Sequence, residues 1–168
     1  MRIVHLPTIW TVALDALAWL ILQPSIAWLV TRLPATSFRP DAWLYRARRW
    51  ERQGEIYQSL MAVRRWKGAL PSGGPWLGGF RMQRIASSHP GYLWRWLQET
   101  CRAEIAHWLQ ILVAPLFFLW NPPVAGGIIV LYALAANLPC IVVQRHNRPR
   151  LRRLAQKAAA RHGETSPT

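Results

Sequence analysis

Three polar side chains, Glu104, His107 and Gln110, stand three residues apart in "ETCRAEIAHWLQ". On a helix this spacing projects them from adjacent turns of roughly one face. A carboxylate one turn before an imidazole can accept a hydrogen bond from one ring nitrogen. The other nitrogen is then free to take a proton, the orienter-and-base arrangement of hydrolases and transferases. The same three groups can also satisfy one another or anchor lipid headgroups, so the motif alone is weak. Half of a carboxylate-bridged metal site would need a second Glu-x-x-His, and the sequence has none.

A second polar cluster follows an apolar run. "CIVVQRHNRPRLRRL", residues 140–154, carries Gln144, Arg145, His146, Asn147, Arg148, Pro149 and Arg150 in succession. A plain membrane exit needs only a few basic residues. Arg145, Arg148 and Arg150, with Arg102 on the Glu104 side, offer fixed cations and forked donors for the phosphates of an acyl donor. Gln144 and Asn147, with Asn137 upstream, offer neutral donors for substrate or a carbonyl oxyanion. Pro149 is expected to end the helix and direct the arginines. A base, amide donors and a phosphate-binding rim suit acyl transfer from a phosphate-bearing carrier. Plain binding of anionic lipid uses the same residues, and they do not choose between the two.

Three apolar runs must hold these clusters: Leu6 to Val30, Ile105 to Trp120, and Val124 to Val143. A spanning helix needs ~20 mostly apolar residues. The first and third runs qualify, and the second does if its helix begins upstream, near Leu93. The first run is too long for a signal-peptide core and has no A-x-A site after it. The expected fold is an all-α integral membrane protein, one membrane domain over 1–168. It has about three transmembrane helices (near 6–30, 103–120 and 124–143) and amphipathic interfacial helices in a basic loop. A net charge of +14 beside 52% hydrophobic residues points to an anionic membrane face. Nucleic acid would explain the charge but not the spans.

Lys and Arg number one before the first run, 13 in residues 32–103, none in the "NPP" connector, and seven from residue 144 onward. The positive-inside rule then puts the N-terminus outside the cell membrane. The 32–102 loop and the 144–168 tail fall in the cytoplasm, and the NPP turn outside. Short connectors make antiparallel helices neighbours, so Glu104 and His107 meet "QRHNRPR" at one boundary.

In the loop, Trp43, Trp50 and Tyr57 recur every seven residues among Arg46, Arg48, Arg49 and Arg52. Pro40 and Asp41 suit a helix start. An amphipathic helix in the membrane interface is therefore expected there. A further interfacial stretch, with Tyr92, Trp94 and Trp96, is expected to run as one helix from about Gly91 into the second span. "GALPSGGPWLGGF", 68–80, reads as a loop or lid; without GxxxxGK[ST] it is no phosphate loop. "ARHGETSPT" is expected to fray. Asp15, inside the first run, is costly and needs a reason. Cys101 and Cys140 lack zinc-ligand spacing and read as free thiols.

Four blocks, "WLILQPSIAWLVTRLPATSFR", "RRWKGALPSGG", "ETCRAEIAHWLQILVAP" and "YALAANLPCIVVQRHNRPRL", resemble in the same order the glycosyl-4,4'-diaponeurosporenoate acyltransferase family of carotenoid biosynthesis. The likeness runs from about Trp19 to Leu154, and "ANxPxxxVQRxNRPRL" is its most specific part. It implies a membrane enzyme that esterifies a sugar hydroxyl of a glycosylated apocarotenoid acid with a fatty acyl chain, as in the last step to staphyloxanthin. It implies membrane lipid, a glycosylated carotenoid acceptor and an acyl donor as partners. The donor, acyl-CoA or acyl carrier protein, is expected as a co-substrate, with no resident cofactor or metal. The matching polar positions include Arg102, Glu104, His107, Asn137, Gln144, Arg145, Asn147, Arg148 and Arg150. His146 stands where the family pattern has Tyr, and Asp15 precedes the matching blocks. The H-x-x-x-x-D box of other acyltransferases follows none of the five His residues. The competing expectation is a non-catalytic scaffold, or an anionic-lipid-binding subunit of a lipid or carotenoid complex. Such a protein would not need a base at His107.

Overall fold

A computed structural model describes residues 4–70, 78–80, 82 and 85–163. These form α-helices and 3-10 turns, with no strand among the described residues. Helix α1 covers Thr8–Arg32. It stops because Leu33 precedes Pro34 and takes the extended backbone that a following proline demands (φ −67°, ψ 142°). Short helices α2, Glu55–Met61, and α3, Val63–Trp66, lie in the basic loop. Helix α4, Pro90–Leu112, opens with proline in its first turn, and the His89 side chain caps it by accepting from the Gly91 N–H. A 3-10 stretch, Ala114–Leu119, continues it through Pro115. Helix α5, Pro123–His162, ends at Gly163 in the left-handed conformation (φ 66°) that a helix C-terminus favours.

Three segments, Thr8–Arg32, Pro90–Leu119 and Pro123–His162, are long and apolar enough to cross a membrane. The 40 residues of α5 measure ~60 Å, about twice a ~30 Å hydrocarbon core. Its first half is apolar and its second half basic. Helices α4 and α5 pair as an antiparallel hairpin. In the basic half, Leu93, Trp96 and Leu97 pack on Leu151, Ala155 and Ala158. Helix α1 leans on the apolar half, where Trp19 meets Phe117 and Tyr132 at ring separations of 5.1 and 5.7 Å. Asp15 is satisfied there, accepting from Trp120 Nε1 and Asn121 Nδ2 at 2.7 Å each.

Several expectations change. Pro149 does not end α5; the helix runs on to His162. A proline removes one helical hydrogen bond, but Pro149 and Leu151 are buried, and packing on α4 carries the helix past the gap. The tail is therefore helical through His162, and residues 164–168 lie outside the described ones. Trp96, expected at a headgroup belt, is core instead. Most of 68–80 lies outside the described residues.

The expected helix from Pro40 is absent. Residues 39–46 form turns, and Arg49–Gly54 is 3-10. The reason lies in Arg52, Gln53 and Gly54, which all have positive φ (46°, 57° and 86°) and reverse the chain. A Cβ on Gly54 would stand 2.8 Å from the His146 carbonyl oxygen and 3.2 Å from that of Arg145. Only glycine allows the loop backbone this close to α5. His146 Nδ1–H donates to the Gly54 carbonyl at 2.8 Å and closes the joint. The seven-residue aromatic spacing splits accordingly: Trp43 and Trp50 are exposed, while Tyr57 is buried.

Candidate functional site

The α4–α5 seam carries a ladder of polar contacts. At its centre Glu104 is fully buried, with no exposed surface. Arg145 Nε donates to Glu104 Oε1 at 2.8 Å. Arg148 Nη2 lies 2.6 Å from Oε2, an ion pair set off the line of an ideal hydrogen bond. Trp108 Nε1 approaches at 3.4 Å. The same two arginines bind the loop. Arg145 reaches Glu51 (2.7 Å) and the Leu44 carbonyl (2.9 Å). Arg148 donates to the Tyr45 carbonyl (3.0 Å), and to the Thr100 hydroxyl and carbonyl (2.9 and 3.0 Å). Burial would raise the Glu51 carboxyl, but donation from the Tyr57 hydroxyl, Arg145 and the Arg48 N–H holds it below the usual carboxylate range.

One turn into the apolar half, His107 meets Asn137, Nδ1 to Oδ1 at 2.8 Å. Asn137 Nδ2 donates to the Ala133 carbonyl at 2.9 Å, so its oxygen must face the ring. An amide oxygen only accepts, so Nδ1 carries a proton and donates to Asn137. Asn137, not Glu104, is thus the histidine's orienting partner. Glu104 faces the two arginines because they reach the same buried oxygens from α5. Gln110 donates to the Gln23 carbonyl at 3.2 Å and ties α1 to this level.

The remaining expected residues scatter. Arg102 is buried, and Nη1 meets both Glu99 oxygens at 2.8 and 2.9 Å. Its Nη2 donates to the Leu33 carbonyl at 2.6 Å. It fastens the end of α1. Asn147 Oδ1 accepts from Lys67 Nζ at 3.0 Å. Burial lowers the Lys67 ammonium, helped by Arg150 and Arg64 nearby. Gln144 is half-buried and makes no side-chain hydrogen bond among the described residues. Arg150 is exposed. Gln144 and Asn147 stand about two and three turns along α5 from Asn137. Side chains lean toward their own helix N-terminus, so His107 leans to the basic half and Gln144 to the apolar half, which narrows the gap. Beyond the arginines, an open cleft of about 400 Å³ lies between residues 40–53 and α5.

Glu51, Thr100 and Gly54 were not singled out in the sequence, and Tyr57 was read only as part of the aromatic repeat of an interfacial helix. Glu51 had a signal: it is the one carboxylate between Asp41 and Glu55, in a run with four arginines.

The family model for glycosyl-4,4'-diaponeurosporenoate acyltransferase matches residues 41–157, from the turn before the cleft to the end of the α4–α5 seam. The chain belongs to that family. Proteins named glycosyl-4,4'-diaponeurosporenoate acyltransferase in Staphylococcus aureus strains MRSA252 and USA300 are each 35% identical over 147 residues, covering 87% of this chain and 88% of theirs. No solved structure matches. Membership makes the chain an acyltransferase rather than a scaffold, and a transferase of this family implies a glycosylated carotenoid acceptor and an acyl donor. The matched span contains Glu51, Glu104, His107, Asn137, Arg145 and Arg148.

Proposed function

We propose that the protein is an integral membrane O-acyltransferase that esterifies a sugar hydroxyl of a glycosylated apocarotenoid, with His107 as the general base. The observation that carries the reading is the Asn137–His107 pair, which fixes the ring through Nδ1 one turn past Glu104 on the hairpin and assigns Nε2 to the proton transfer. A lipid-borne sugar lies at the membrane–water boundary, which His107 borders through its place one turn past Glu104. The hydroxyl gives its proton to Nε2 as its oxygen attacks the acyl carbonyl of a thioester. The new C–O bond forms, the C–S bond breaks, and the imidazolium returns the proton to the leaving thiolate. Gln144, leaning toward His107, is the amide assigned to the carbonyl oxygen. Glu104 is assigned to holding Arg145 and Arg148, with no proton to transfer.

The three apolar segments cross the cell membrane in this reading. Loop and tail face the cytoplasm and the N-terminus faces outside, because the basic residues gather at one end of the hairpin. The exposed Trp43, Trp50 and Leu60 beside Arg48, Arg49 and Arg52 rest in the cytoplasmic headgroup layer. The test is a mass spectrum of carotenoids from cells with and without the gene. A glycosylated apocarotenoid heavier by one fatty acyl group, only with the gene, is expected. An acceptor left unmodified in the presence of fatty acyl donors would overturn the reading.

A further inference from the structure

The cleft beside the seam has an unusual balance of charge. Five guanidiniums line it, those of Arg46, Arg145, Arg148, Arg152 and Arg153, against the single carboxylate of Glu51. Glu51 is already occupied by Tyr57, Arg48 and Arg145. Arg145 and Arg148 are held by Glu104, and Arg152 pairs with Asp41. Arg46 and Arg153 are exposed and have no carboxylate partner among the described residues. Like charges gathered around a concavity repel one another unless an anion joins them. A volume of about 400 Å³ falls in the range of small-molecule sites.

Position gives the anion a role. Arg148 stands level with Thr100 on α4, and His107 is seven residues further along, ~10 Å into the apolar half. A phosphate held in the cleft would therefore leave a flexible arm room to carry its far end to His107. We propose that this cleft binds the phosphate of a phosphopantetheine thioester, with Arg46 and Arg153 as the two open anchors. Arg145 and Arg148 form its preset floor, since their geometry is fixed by Glu104 before any ligand arrives. The arm then runs past Gln144 along the seam. The inference rests on the acyltransferase reading for its choice of ligand, and it moves the phosphate contacts away from Arg102 and Arg150. Coenzyme A and an acyl carrier protein both present this chemistry.

The test is equilibrium binding by calorimetry, using the protein in nanodiscs of phosphatidylcholine. The probes are coenzyme A, a carrier protein bearing phosphopantetheine, the same carrier without it, and vesicles containing phosphatidylglycerol. Arg46→Gln and Arg153→Gln should each weaken binding of a phosphopantetheine probe by roughly tenfold, the worth of one charge-assisted hydrogen bond. Added salt should weaken it further. Arg46→Lys should restore part. Both replaced residues are exposed, so melting temperatures should match the parent and show that the fold survives. Binding of coenzyme A identifies a soluble donor; binding only of the modified carrier identifies the protein. Undiminished affinity in the double variant overturns the proposal. So does binding of neither probe, or loss seen only with phosphatidylglycerol vesicles, which would make the cleft a lipid site. His107→Ala separates the two ideas. If it keeps full turnover while the arginine variants lose binding, the base assignment fails and the cleft stands.

Discussion

Replacing Glu104 with Gln asks whether that carboxylate serves the fold or the chemistry. The change keeps the shape and removes the charge. Two arginines face Glu104, at 2.8 Å and 2.6 Å, and the carboxylate has no exposure to water. Arg145 would keep Glu51 as a partner, but Arg148 would keep only the neutral Thr100 and Tyr45 acceptors. Removing one member of a buried ion pair typically costs about 3–5 kcal/mol, because the other charge stays buried. That is a large part of the ~5–15 kcal/mol that holds a domain folded. For a chain of this size the melting temperature should fall by on the order of 10 °C. Thermal unfolding in detergent, followed by tryptophan fluorescence and loss of monodisperse protein, measures it. Adding Arg148→Met removes the orphaned charge and should recover part of the loss, so the pair should show strong coupling in a double-mutant cycle. An unchanged melting temperature with turnover abolished would refute this reasoning and return Glu104 to the chemistry.

Gly54→Ala should destabilise by more than about 1 kcal/mol from the left-handed backbone alone, with further loss because its Cβ would stand 2.8 Å from the His146 carbonyl; a melting temperature equal to the parent's would show that the loop does not dock there. Glu51 has a carboxyl held low in the folded state, so its stabilisation is complete above the ordinary carboxylate pKa of ~4.3 and is lost as pH falls through the folded value. Glu51→Gln should therefore lower stability at neutral pH and flatten the acid side of the stability profile, whereas an unchanged acid limb would contradict the assignment. Single cysteines placed after Arg32, at Asn121 and after Leu151 should label from inside, outside and inside; an outside reading for the last would overturn the proposed topology.

The elements were legible where a simple rule governed them. Apolar runs gave the three long helices, and the start of the second was expected near Gly91, beside the Pro90 that opens it. Pro149 misled because its local cost is outweighed by packing of Leu151, Ala155 and Ala158 on α4, which the sequence does not display. The loop misled in the same way. Arg52 and Gln53 take positive φ just before Gly54 meets α5, and no local propensity of Arg or Gln announces it. Within the site, spacing put Glu104 and His107 on one helix face but could not say what stood opposite. Arg145 and Arg148 claimed the carboxylate from across the seam, and Asn137 took the ring. The sequence carried the residue types; the register of two helices distributed the partners.

The most direct test of the account is the acyl-transfer rate of His107→Ala, with membrane insertion and acceptor binding matched to the parent. A base acting in the transition state contributes roughly 10²–10⁴, and turnover per folded molecule should fall by about that factor, with a modest drop in melting temperature because the buried Asn137 oxygen loses its partner. His146→Gln, measured beside it, should retain transfer once corrected for folded protein, because that ring serves the Gly54 joint. Parental turnover from His107→Ala would contradict the account at its centre.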